Sequence, residues 1–128
     1  MTIAIRVFQW ITGLAGLGAL LLGLIYWIAN ISFITLHMLF GFTLTLSLLG
    51  LSILMLFIGH MRIWGVVGIV YALIVPLFGL RQMTLLAGDL HWMIRTLHLL
   101  VGIGAMALAG IMAQRYTRFK EQGQVAAQ

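Results

Sequence analysis

Thr35-Leu36-His37-Met38-Leu39-Phe40-Gly41 and Thr96-Leu97-His98-Leu99-Leu100-Val101-Gly102 match at five of seven positions, 61 residues apart, and each opens a long apolar run. In a leucine-rich chain the two Leu matches carry little information. Thr, His and Gly recurring in one frame carry more, and they point to a duplicated helix pair. A histidine inside an apolar run has no water to solvate it, so it must be neutral and hydrogen-bonded, or bound to a ligand. Two histidines placed alike on two helices most economically hold one object between them.

The composition around these runs decides the fold class. The chain has 128 residues, 63% of them hydrophobic and 7% charged, and its mean hydropathy is +1.17. A soluble domain needs about 25% charged residues to cover its surface. The expectation is therefore an all-α integral membrane protein. With about 20 apolar residues per crossing, this length holds four spans with short links and leaves none for an extramembrane catalytic domain. Cysteine is absent, which removes thiolate metal sites, iron–sulfur clusters and disulfides and leaves histidine or methionine as metal donors. The eight methionines are scattered and read as core or lipid-facing filler. The net charge of +5 lies mostly beside the spans, as topology and headgroup attraction require, and not in a nucleic-acid-binding patch.

The spans fall at about 7–29, 33–58, 63–80 and 92–113, forming a membrane domain over 1–113 with a basic, then polar, fraying tail over 114–128. Trp10 near one end of the first span, and Tyr26 and Trp27 near the other, suit the two interfaces. A cleaved secretory signal is the rival for this segment; the run is longer than a usual signal core, and Ala29-Asn30-Ile31 offers no small-x-small cleavage site. Gly13, Gly16 and Gly23 form a small-residue stripe that reads as helix packing. Thr43, Thr45, Ser47 and Ser52 can return their hydroxyls to carbonyls of the preceding turn and need no other partner. Arg6, Arg62, Arg115, Arg118 and Lys120 lie on the side shared by both termini and the middle link, against Arg81 and Arg95 on the other. Five against two predicts cytoplasmic termini in a multi-pass protein of the cell membrane. The second and fourth spans then run in the same direction, and His37 and His98, each near the start of its span, share a depth toward the outer face.

Paired histidines at matched depth suit the two axial positions of a haem iron, with the macrocycle sliding between helices of a bundle. Gly41 and Gly102 each follow a histidine by one helical turn, on its own face, where a wide flat group needs room. Arg95, Arg81 and His91 lie at the outer end, where haem propionates would emerge. Met38, Phe40 and Phe42 can line the apolar edge. Two other readings stay open on the residues alone: a histidine pair bonded to each other or to a carbonyl and holding helices in register, and a quinone or other ligand site.

Paired histidines on the second and fourth helices of a small four-helix membrane bundle resemble the membrane-embedded b-type cytochromes. The resemblance implies haem b held by His37 and His98 through iron. It also implies electron transfer with a quinone or a larger redox complex, in a chain that carries electrons more readily than it makes bonds. Where di-haem members of that class carry a second histidine further along each helix, this chain has Gly50 and Leu51, and Ile111 and Met112. One haem is therefore expected. His60 and His91 are further candidate ligands, on opposite membrane faces. The lipid bilayer, a redox partner and a second copy of the chain are the expected partners; nucleic acid is not. A non-catalytic accessory subunit of a membrane complex is the competing function.

Overall fold

The computed structural model describes residues 1–86 and 88–125, with side chains through Gly123. It contains four α-helices: α1 (Thr2–Ala29), α2 (Ile34–Leu56), α3 (Arg62–Arg81) and α4 (His91–Val125). Short 3-10 turns at Gly59–Met61 and Gln82–Thr84 flank α3. All four helices are long and apolar enough to cross a membrane. At 1.5 Å rise per residue even α3 measures about 30 Å, the thickness of a bilayer's hydrocarbon core.

The helices form a four-sided bundle. α1 packs on α2 and α4, α3 packs on the same two, and α2 meets α4 only lightly across the diagonal. Short links force this up-and-down order. The first turns on Asn30, which takes a left-handed φ of 56° as the α1 C-cap while its N–H bonds to the Tyr26 carbonyl at 3.1 Å. Asparagine tolerates that conformation better than most residues.

The buried residues are not spread evenly along the bundle. They include Ile5, Thr12, Ala15 and Gly16 on α1, Leu44 through Met55 on α2, Gly65 through Val75 on α3, and Ala105 through Tyr116 on α4. Beyond Gly16, before Leu44, beyond Val75 and before Ala105, Ile94 is the buried hydrophobic among the described residues. The helices are thus tightly packed at the end carrying the N-terminus and loosely packed at the end carrying the repeated motif. Small residues give the packed end its closeness. Leu48, Leu51, Met55 and Met112 fill the space between backbones brought near by Ala72, Ala105 and Ala109. The hydroxyls behave as their residue types allow: Thr43, Thr45, Ser47 and Ser52 each donate to the carbonyl four residues back, at 2.6–3.0 Å. Thr12 adds a bond between helices, donating to Ser47 Oγ at 2.8 Å.

Two boundaries differ from the sequence reading. α1 begins at Thr2 instead of near Val7. α4 continues twelve residues past Ala113, through the segment expected to fray, as far as Val125. That extension has contacts that composition alone does not show. Tyr116 is buried and its hydroxyl lies 3.3 Å from Thr2 Oγ1, Arg115 stacks 4.4 Å from the centre of the Trp64 ring, and Phe119 meets the His60 ring edge-on at 3.8 Å. Residues 126–128 of the expected tail lie outside the described residues.

Candidate functional site

The loosely packed end encloses a cavity of about 530 Å³, within the range of small-molecule and cofactor sites. Its floor is the top of the core, at Gly16, Leu44, Val75 and Met106. Apolar walls come from all four helices, and Ser32, Gln82, His91 and Arg95 supply polar groups. His37 and His98 both line it. They reach it from α2 and α4, the two helices on the bundle diagonal, so their rings face a shared central space with centroids 6.0 Å apart and planes inclined at 51°.

Each imidazole leans on a glycine of the neighbouring helix in its own half. A methyl carbon at Gly23 of α1 would sit 3.4 Å from His37 Cε1, and one at Gly79 of α3 would sit 3.3 Å from His98 Cε1. The two helix pairs therefore repeat one arrangement, a histidine against a glycine of the neighbouring helix. Their hydrogen bonding is not the same. His37 Nδ1 lies 2.9 Å from the Ala19 carbonyl oxygen. A carbonyl only accepts, so the proton of a neutral His37 is on Nδ1 and the Nε2 lone pair is free. His98 Nδ1 is buried with no hydrogen-bond partner, while its ring stacks on Phe78 with centroids 6.0 Å apart and planes at 19°. A buried polar atom without a partner is costly, and this one lies on the α3 side of the ring, 3.9 Å from a carbon added at Gly79.

The repeated glycines border open space. No atom outside their own helix turn lies within 4 Å of a carbon added at Gly41 or Gly102, and both line the cavity. By contrast, Gly18 and Gly50 are filled against Phe40 and Phe8. Met38 and Phe42 line the cavity, whereas Phe40 turns instead onto Gly18 and the core. Arg95 and His91 are at the cavity, and His91 Nδ1 donates to the Leu85 carbonyl at 3.2 Å. Arg81 does not line it although its neighbours Leu80 and Gln82 do, because successive helical residues point about 100° apart. His60 is at the far end of the bundle, against Phe119.

Sequence reasoning overlooked three members of the site. Gly79, Phe78 and the Ala19 carbonyl each touch a histidine only through the bundle's packing; a periodic search would not select them. Gly23 was visible as part of a small-residue stripe, with its histidine contact hidden. Among the described residues, no three of His, Cys, Asp or Glu gather where they would hold a metal ion by themselves. Comparison of the chain with protein-family models, curated proteins and solved structures finds no match.

Proposed function

We propose that the chain is a multi-pass protein of the cell membrane that carries electrons through one b-type haem held between His37 and His98, with both termini in the cytoplasm. The observation that carries the reading is the convergence of the two imidazoles, from diagonal helices, on one cavity. Two imidazoles sharing one metal ion through metal–nitrogen bonds of about 2 Å would have ring centres up to about 6 Å apart. A direct nitrogen-to-nitrogen hydrogen bond of about 3 Å brings them nearer, to about 5 Å. The 6.0 Å separation favours a shared ligand over a histidine–histidine bond.

The donor set points the same way. Two imidazoles alone do not complete the coordination of a metal, and among the described residues no third His, Cys, Asp or Glu is grouped with them. A macrocycle brings its own four nitrogens. Such a haem supplies one-electron redox chemistry at iron when bound. His37 is prepared for ligation by its Nδ1–H bond to Ala19, which fixes the ring and raises the basicity of Nε2. Gly41 and Gly102 leave the walls open for a flat group, and most of the lining is apolar. Arg95 and His91 give negatively charged propionates a cationic or hydrogen-bonding exit. If His37 and His98 both held the iron, electron transfer would be the chemistry the group supplies. A quinone at the outer face, or a larger redox complex, would be the exchange partner.

The orientation rests on the five-against-two distribution of Lys and Arg. The competing reading is a colourless accessory subunit whose His37 merely ties α2 to α1 through Ala19; the 2.9 Å bond favours it, and the unpartnered His98 Nδ1 does not. Purified protein supplied with haem decides between them by its reduced-minus-oxidised spectrum. His37→Ala and His98→Ala should each abolish the low-spin signal, while His60→Ala and His91→Ala largely keep it. An unchanged spectrum in either of the first two variants refutes the assignment.

A further inference from the structure

We propose a second site at the opposite end of the bundle: the wedge between the start of α1 and the end of α4 binds the phosphodiester headgroup of an anionic phospholipid. A cavity of about 340 Å³ opens there, lined on α1 by Arg6 and Gln9 and on α4 by Gln114, Thr117, Arg118 and Glu121. Its floor is formed by buried residues, among them Ile5 and Tyr116, and the charged groups Arg6, Arg118 and Glu121 stand exposed around this shallow, open recess. Guanidinium groups suit phosphate because each offers several N–H donors in a planar fork.

Charge narrows the ligand further. Two arginines and one glutamate leave the lining net positive, which suits the anionic phosphate group that phospholipids present at this depth. Glu121, Gln9 and Gln114 can bond hydroxyls carried by the rest of a headgroup. Lys120 adds a cation at the rim, with Nζ 3.4 Å from Thr2 Oγ1. The depth is also appropriate. Trp10 lies one turn from Arg6 and is exposed, and Arg115 covers Trp64 at 4.4 Å, so the recess is level with aromatics of the kind found at headgroup depth. Basic recesses between membrane helices on the cytoplasmic side take anionic headgroups by this chemistry. The proposal rests on membrane insertion as proposed above and is independent of the haem, whose cavity lies beyond the packed core.

The test is lipid retention. The full chain is reconstituted in nanodiscs of phosphatidylcholine containing phosphatidylglycerol, and bound lipid is counted by native mass spectrometry. Preferential retention of one phosphatidylglycerol is expected. Arg6→Gln and Arg118→Gln should each reduce it about five- to tenfold. Gln114→Trp, which keeps every charge but fills the recess, should also reduce it. Arg62→Gln, at the same end but outside the cavity, should leave it unchanged; equal loss in Arg62→Gln would reveal only a general basic surface and overturn the proposal. Equal retention of phosphatidylcholine would overturn it too. Displacement of the lipid by inorganic phosphate would identify a soluble anion as occupant and refute the lipid assignment. Release of the chain from membranes by alkaline extraction would instead defeat the insertion reading itself.

Discussion

Replacing Gly102 with leucine asks whether the space beside His98 exists for a ligand or for helix packing. The two answers differ in sign. No neighbouring atom lies within 4 Å of a carbon added at Gly102, and Gly102 borders the cavity, so the first carbon of the substitution meets no clash and the rest has the cavity to extend into in ligand-free protein. Leucine is also a better helix former than glycine by about 0.7 kcal/mol. Ligand-free Gly102→Leu should therefore melt at or slightly above the parent temperature. Gly18→Leu gains the same propensity but loses more, since its added carbon would meet Phe40 Cε1 at 2.9 Å and overpacking costs about 1–3 kcal/mol. When haem is present the order reverses for Gly102. The isobutyl group then competes with the macrocycle for the cavity one turn beyond His98, and an overpacking cost of about 1–3 kcal/mol amounts to roughly 5- to 150-fold weaker binding. The assay is haem content from the reduced-minus-oxidised spectrum, beside thermal unfolding of loaded and ligand-free protein in detergent. Full haem content in Gly102→Leu would refute the reasoning and assign the repeated glycine to something other than the cofactor; Gly41→Leu should behave in the same way.

Other outcomes follow from the same geometry. Because the chain has no cysteine, single cysteines introduced at Gly59 and Gly123 should label from one membrane face, and those at Ser32 and Gly88 from the other; disagreement between Ser32 and Gly88 would mean that α2 and α4 are not parallel. Arg95→Gln should keep the haem and lower its midpoint potential by an amount on the order of tens of millivolts, since a nearby cation favours the less positive, reduced iron; an unchanged redox titration would remove Arg95 from the site. Thr12→Val should cost about 0.6–1.7 kcal/mol of stability in detergent unfolding. It removes the hydroxyl's contacts with Ser47 Oγ at 2.8 Å and the Phe8 carbonyl at 2.7 Å, but leaves the Ser47 hydroxyl donating to the carbonyls of Thr43 and Leu44. A larger loss would show that the buried hydroxyl pair does more than join α1 to α2.

The sequence by itself determined the number and character of the helices, because apolar content and length act locally: a run of about 20 apolar residues satisfies its backbone as a helix whatever lies beside it. It also determined that His37 and His98 share a level and that Gly41 and Gly102 lie one turn away, since both follow from helical period and alternating direction. The rest depended on which faces meet. Only the tertiary structure separated Arg81 from Arg95, turned Phe40 toward Gly18 and away from the cavity, and set Gly79 and Phe78 against His98. Those contacts depend on the rotation of each helix about its axis. In a chain apolar on nearly every face, no stripe of polar residues fixes that rotation in advance, so the interlocking of side chains decides it. The extension of α4 has the same origin: Gln114 to Val125 has no strong apolar face of its own, and it is held where Tyr116, Arg115 and Phe119 find Thr2, Trp64 and His60.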